Sequence, residues 1–291
     1  MKKQTIGITR GDQAGIGPEV VAAALASGEL PEGVDFRLIG ERLDVTLGEP
    51  TQESAQAALD ALEESVRMMK SGEIDAVVTA PVGKEGLHDL GFDFPGQTEF
   101  FADRLSCGNH AMCLTGKRLT VALVTIHVAL ADVPELLSRS EIVRVGRLLG
   151  EFCRQRGVKH PRVAVCGLNP HAGENGAFGR EDIEIVAPAV KELQSEAGGV
   201  DFSGPHPPDT IFRPAVDGEY DAVLCMYHDQ GLIPLKLLDF DSGVNVTLGL
   251  PVPRTSPDHG TAYGIAGKGV ASAGSMIQAI RLACEMVGSD R

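Results

Sequence analysis

A chain of 291 residues with 43% hydrophobic content is long enough to bury a large core, as one big domain or two modest ones. Its 26 basic and 40 acidic residues give a formal charge of -14 with no basic block, which argues against a nucleic-acid surface and against anionic membranes. Met1-Lys2-Lys3 leads into a short strand-like run and then into charge and glycine, so no signal segment or membrane span is expected, and the expected location is the cytoplasm.

Thr5–Thr9 predicts a first strand, followed by the glycine-rich turn Arg10-Gly-Asp-Gln-Ala-Gly-Ile-Gly-Pro18 and a helix from near Glu19. Pro18 suits the first helical position, where its missing N–H is harmless. The turn lacks G-x-G-x-x-G spacing, so it serves equally as an anion cradle or as a ligand-free βα turn, with Asp12 its foremost polar residue. Residues 36–40 predict a second strand. Residues 51–70 predict an amphipathic helix capped by Thr51 and stopped by Gly72. The strand-like run 76–79 leads to Lys84, a ligand contact or, on spacing alone, more simply a solvated amine. Gly96-Gln-Thr-Glu-Phe100 opens a helix whose Thr98 either caps it or joins nearby amides in receiving a negative group.

Three later apolar runs share one grammar. Run 121–126 ends at His127, run 163–168 at Asn169-Pro170-His171, and run 222–226 at Tyr227-His228-Asp229-Gln230. Such runs suit buried parallel strands, and open α/β sheets gather ligands at the carboxyl ends of their strands. A lone histidine there more often caps a strand. Three in equivalent positions favour a shared divalent cation, provided the strands are parallel neighbours.

Between these runs, a helix is expected from an N-cap at Ser140 to Gly157, and another over 181–196 despite Pro188. The polar loop 172–180 is of a kind that carries function. In the stiff connector 204–210, Asp209 either forms a turn or faces the site. Lys236, Asn245 and Arg254 suit a phosphate or carboxylate, although a surface salt bridge is the plainer use of a lone basic residue. His88, His110, His160 and His206 are assigned nothing. The six cysteines form no CxxC pair, and Cys166, Cys225 and Cys284 lie in apolar runs, so all six are read as unbridged. The 35 glycines and 17 prolines punctuate periodic segments without any low-complexity tract or repeat.

Together, Gly-Asp-Gln-Ala-Gly-Ile-Gly-Pro-Glu from Gly11, Gly-Gln-Thr-Glu-Phe from Gly96, Asn-Pro-His-Ala-Gly-Glu from Asn169, Tyr-His-Asp-Gln-Gly from Tyr227 and Arg-Thr-Ser-Pro-Asp-His-Gly-Thr-Ala from Arg254 resemble the 4-hydroxythreonine-4-phosphate dehydrogenase family over nearly the whole chain. The resemblance implies an α/β, isocitrate/isopropylmalate dehydrogenase-like fold with two lobes around a central cleft, the lobes discontinuous in one catalytic unit over 1–291. It also implies a homodimer with its site at the subunit interface, NAD or NADP, and one divalent metal ion per site (Zn, Mg, Co or Mn).

On this resemblance His127, His171 and His228 bind metal, and Gln97, Thr98, Lys236, Asn245 and Arg254 bind substrate. His259, Gly260, Thr261, Ala262, Gly267 and Lys268 fall in a segment similar to the adenine-nucleotide loop of isopropylmalate dehydrogenases. Three departures stand out: Gln97 replaces the family's usual histidine, Gln13 replaces a usual proline, and the segment around 40–51 is shorter by a few dozen residues.

The implied reaction oxidises the C3 hydroxyl of 4-phosphohydroxy-L-threonine with decarboxylation to 3-amino-2-oxopropyl phosphate, a step of pyridoxal phosphate synthesis. Asp209, Asp229 and Lys236 are unranked acid/base candidates. Phosphorylated threonate or erythronate, or an aromatic cis-diol, are alternative substrates. A metallohydrolase and a metal-stabilised binding protein are the rivals from other classes.

Overall fold

In the computed structural model, which describes residues 3–196 and 198–288, the chain forms two units. The first joins the segment up to Gly108 with the segment from Asp241 onward, and the second is Asn109–Phe240. Met1 and Lys2 of the leading Met1-Lys2-Lys3 lie outside the described residues. No helix among the described residues is long and apolar enough to cross a membrane.

The first unit opens with β1 (Thr5–Thr9), α1 (Gly17–Ala26), β2 (Asp35–Ile39), α2 (Gln52–Ser71), β3 (Ala76–Val78), α3 (Lys84–Asp89) and α4 (Gln97–Arg104). Strand β1 pairs in parallel with β2 on one side and β3 on the other. Its Ile6 and Ile8 are fully buried, as are Val77 and Val78. Helix α2 turns Ala58, Leu62, Val66 and Met69 inward, a spacing of three or four residues that puts them on one face. Thr51 and Ser54 form a reciprocal capping box at its start, and Gly72, at φ 70°, ends it in the left-handed conformation that favours glycine. Phe92, Phe100 and Phe101 fill the core beside α2, with ring centroids 5.3 Å apart in successive pairs. Each such side chain contributes about 1.5–3 kcal/mol on burial.

The second unit contains β4 (Ala111–Thr115), β5 (Thr120–Leu123), α5 (Val133–Leu136), α6 (Arg139–Gln155), β6 (Arg162–Cys166), α7 (Ala187–Ser195), β7 (Asp201–His206), α8 (Phe212–Val216), β8 (Ala222–Cys225) and α9 (His228–Asp239). Strands β4 and β5 form an antiparallel pair, and β5, β8, β6 and β7 then follow side by side in parallel. The continuous apolar runs are explained by this arrangement, since every residue of β8 and four of the five in β6 are buried. The chain then returns to the first unit as β9 (Val244–Leu248), β10 (Arg254–Pro257) and α10 (Gly274–Gly288), with β10 parallel to β3 and antiparallel to β9.

Several local expectations are corrected. Helix α1 starts at Gly17, which places Pro18 second in it. The N-cap of α4 is Gly96, so Thr98 lies inside the helix and caps nothing. Ser138, not Ser140, caps α6, accepting the Glu141 N–H at 3.2 Å. The run 181–196 is helical through Ser195, but Asp182–Val186 within it is wound as a wide π-type turn, and Pro188 falls in the first turn of α7 that follows. For the cap, Ser138→Ala is expected to destabilise the protein by about 1 kcal/mol and Ser140→Ala by less than about 0.5 kcal/mol in urea unfolding. Equal effects would return the cap to Ser140.

Candidate active site

Strands β5, β8 and β6 are parallel neighbours, with Leu123 opposite Cys225 and Val165 opposite Leu224, so their carboxyl ends share one edge. Each strand is shorter than its apolar run, and the chain leaves the sheet before reaching the histidine. Thr125 donates its hydroxyl to the Met226 carbonyl at 2.8 Å, fastening the first two exits together. Beyond them the rings of His127 and His228 lie 5.7 Å apart, beside a cleft of about 380 Å³ lined by Ile126, Leu130, Val133 and Tyr227. Asp229 Oδ1 sits 2.7 Å from His228 Nδ1, which leaves Nε2 as the atom suited to a metal. Burial pushes the Tyr227 phenol above its ordinary value.

His171 does not join them. Five successive residues, His171 to Asn175, have φ between 42° and 82°, a backbone that Gly173 and, less freely, Asn175 accept and that strains Ala172 and Glu174. This left-handed turn sets His171 Nδ1 3.1 Å from Glu174 Oε2 and the ring edge-on to Phe178. Its side chain is 59% exposed. Among the described residues no three His, Cys, Asp or Glu side chains are gathered to hold a metal ion. Two imidazoles on one strand edge, one oriented by a carboxylate, fit a cation that takes further ligands from elsewhere.

Two side chains not assigned a role from the sequence hold this edge in place. Asp182, 1% exposed, accepts the Leu168 and Asn169 amides at 2.7 and 3.0 Å, anchoring the loop that carries His171. The π-type turn delivers that carboxylate. Gln230 accepts the Met226 N–H at 2.7 Å and donates to the Gly167 carbonyl at 2.8 Å, tying the end of β8 to the end of β6. No sequence signal marks this role, because the amide finds both partners only once the strands are paired. Of the acid/base candidates, Asp229 touches His228. Lys236 stands two helical turns along α9, and exposed Asp209 borders a separate cleft with His206, Arg213 and Tyr220.

In the first unit, Arg254 is 2% exposed and held by neutral groups. Its guanidinium donates to Thr79 Oγ1 at 2.7 Å, Gln97 Oε1 at 3.0 Å, Asn245 Oδ1 at 3.3 Å and Thr247 Oγ1 at 3.4 Å. Thr98 Oγ1 lies 3.4 Å from Thr247 Oγ1. Four of the five expected substrate-binding residues therefore meet in one cluster at the start of α4; Lys236 belongs to the other unit. Burial pulls the Arg254 guanidinium down to about 9, an effect the negative charge of Glu99 only partly opposes. A buried cation ringed by neutral acceptors suits an incoming anion.

The first unit also has a cleft of about 830 Å³ lined by Gly260, Thr261 and Tyr263 together with Asp12, Thr51, Lys84 and Glu85. Lys84 is exposed at the edge of this cleft, as the solvated amine its spacing favours would be. Tyr263 donates its hydroxyl to Asp12 Oδ2 at 2.6 Å; burial, and then this bond, push the phenol up to about 12. Ala262 takes φ 44° and Gly267 φ 74°, and the Gly267 N–H donates to Glu19 Oε2 at 2.8 Å. His259 Nδ1 bonds the Gly260 carbonyl at 3.1 Å, while its buried Nε2 has no hydrogen-bond partner among the described residues. A buried acceptor left unmatched fits a loop that binds a ligand with donors. Lys268 is exposed.

Comparison with known proteins bears on the family and the fold. The family model described as pyridoxal phosphate biosynthetic protein PdxA matches residues 17–283. The 4-hydroxythreonine-4-phosphate dehydrogenase of Geobacter metallireducens is 43% identical over 326 aligned positions, covering 98% of this chain and 96% of that protein. The D-threonate 4-phosphate dehydrogenase of Pectobacterium atrosepticum is 39% identical, covering 97% and 98%. Among solved structures, 4-hydroxythreonine-4-phosphate dehydrogenase from Klebsiella pneumoniae superposes with a TM-score of 0.82 at 37% identity over 98% of both chains. Isocitrate dehydrogenase from Methylococcus capsulatus, 16% identical, shares the fold with a TM-score of 0.60 over 98% of this chain and 86% of that one. The α/β fold is thus of the isocitrate dehydrogenase-like class, and the chain belongs to the PdxA family, whose curated relatives are named as dehydrogenases.

Proposed function

We propose that this protein is a metal-dependent NAD(P) oxidoreductase that oxidises the C3 hydroxyl of 4-phosphohydroxy-L-threonine and releases carbon dioxide, giving 3-amino-2-oxopropyl phosphate. The observation that carries the reading is the buried Arg254 guanidinium, surrounded by Thr79, Gln97, Asn245 and Thr247 and only partly offset by Glu99. An enzyme accepts so costly an arrangement where an anionic substrate relieves it.

On this reading Arg254 grips the substrate's anionic end as a fork, with the Thr98 hydroxyl, the Asn245 amide and the first amides of α4 completing the cradle. The cleft lined by Gly260 and Thr261, with His259, Ala262, Gly267 and Lys268 in the same loop, takes NAD or NADP. His127 and His228 of one protomer hold one divalent cation (Zn, Mg, Co or Mn), with Asp229 fixing the ring of His228, and the exposed His171 supplies the third imidazole across the subunit interface. When bound, the cation lowers the pKa of the hydroxyl being oxidised and steadies the charge left as carbon dioxide departs. Asp229, beside His228, and Lys236, along the same helix, move the protons, one from the hydroxyl and one to the carbon that loses its carboxylate.

The protein acts in the cytoplasm as a homodimer with its site at the subunit interface. Ile233, Leu237 and Phe240, 66%, 84% and 69% exposed on the face of α9 that also carries Asp229, give that interface an apolar surface beside His228.

A second reading, a 4-phospho-D-threonate or erythronate 3-dehydrogenase, is favoured by Gln97. Its amide oxygen is spent on Arg254 at 3.0 Å, so the neutral contact there makes no demand for a particular charge on the substrate. Assaying NADH or NADPH formation with 4-phosphohydroxythreonine, phosphothreonate, phosphoerythronate and an aromatic cis-dihydrodiol separates the two. Reduction with the first substrate supports the primary reading, preference for the second or third supports the alternative, and silence on all four overturns both.

A further inference from the structure

A short irregular segment, residues 41–50, reaches the cleft beside loop 260–267 at Pro50 and is held by one buried side chain. Gln13 is 5% exposed and both ends of its amide are used: Nε2 donates to the Glu41 carbonyl at 2.7 Å, and Oε1 accepts the Leu43 N–H at 3.1 Å. A few residues on, the segment bears on its neighbours. The Gly48 N–H donates to the Ala14 carbonyl at 2.8 Å, and Leu47 packs so closely on Gly267 that a Cβ there would overlap its Cδ1. The glycine-rich turn grips the loop in its own right, the Ile16 N–H donating to the Thr261 carbonyl at 2.9 Å. Side chain, segment, turn and loop thus form a closed circuit, and Gln13 is where the segment is fastened to it.

We propose that Gln13 is a positioning residue for the nucleotide-binding loop, fastening residues 41–43 so that Leu47 and Gly48 press on the loop lining the first unit's cleft. The proposal rests on reading that cleft as the cofactor site. Loss of the amide leaves a buried carbonyl and N–H unmatched and frees the segment, so the loop meets the nucleotide less well ordered. Phosphorylated substrate, held at Arg254, does not sense the change.

The test uses the full-length, metal-loaded protein with NAD and NADP as probes. Gln13→Ala is expected to raise KM for the nucleotide about tenfold, the equivalent of one such hydrogen bond, while KM for the phosphorylated hydroxy acid stays within about twofold. Amide hydrogen exchange at Ile16, Gly48 and Gly267 quickens in the same variant. Gln13→Glu, which keeps the acceptor for Leu43 and loses the donor to Glu41, falls between. If Gln13→Ala does not fold, Leu47→Ala, which alters an exposed side chain, is expected to give the same pattern more weakly. An unchanged nucleotide KM with unchanged exchange at Gly267 in these variants overturns the proposal, as does an equal rise in both KM values. Failure of the dehydrogenase reading itself would show as no reduction of NAD or NADP by the unsubstituted protein. The exchange response to Gln13→Ala would still decide the positioning role.

Discussion

Arg254→Met is expected to raise KM for the phosphorylated substrate by about a hundredfold to a thousandfold, because truncating one partner of a buried charged pair costs about 2–5 kcal/mol. The empty protein should behave in the opposite way. Its guanidinium is buried against neutral groups, so an apolar replacement of similar length removes a desolvation cost, and the variant should unfold at the same or a higher urea concentration. A variant that loses both affinity and stability would mean that Arg254 is a structural cation.

The pH dependence follows from the same burial. The folded value, about 9, lies below the ordinary 12.5, so between them the unfolded chain binds a proton that the folded chain lacks. Stability therefore rises with pH across that window, and below it the full cost of the buried charge is present. Relative to Arg254→Met, the unsubstituted protein should gain stability as the pH is raised above about 9.

His228→Ala and His171→Ala are each expected to lower turnover by about a thousandfold or more, since removing a metal ligand removes the cation's contribution with it. Asp229→Asn, which disturbs the orientation of His228 and removes a carboxylate that carries a proton, should cost at least about 10- to 100-fold. Metal content and solution mass are the controls: His171→Ala should lose bound metal and keep its oligomeric state. His171→Ala with normal rates would remove that residue from the metal site and leave the His127–His228 pair in need of a different third ligand.

The contrast between these histidines marks how far the sequence could be read. Apolar runs ending at His127 and His228 predicted a shared sheet edge, and the parallel pairing of β5 and β8 supplies it, because a strand buried on both faces is written in consecutive hydrophobic residues. His171 follows the same pattern in sequence yet points elsewhere. Its ring is directed by a left-handed turn through Ala172 and Glu174, residue types that give no notice of that backbone. The π-type turn at Asp182 was hidden for a related reason: its apolar residues keep helical spacing, and the fault lies in one hydrogen bond shifted to carry a carboxylate under the loop. Thr51 and Gly72 were legible because a cap is local chemistry. The cage around Arg254 was not readable from spacing, since Gln97 and Arg254 are brought together only by the fold; family resemblance pointed to those residues, and the structure shows how they meet.

The most direct measurement is reduction of NAD or NADP by 4-phosphohydroxythreonine, followed before chelation, after chelation and after a divalent cation is restored, with the fold monitored by circular dichroism. The account predicts nucleotide reduced in proportion to substrate consumed, loss of that reduction on chelation without loss of fold, and recovery with the cation. Nucleotide reduction untouched by chelation, or a chain that unfolds when the metal is withdrawn, would contradict it.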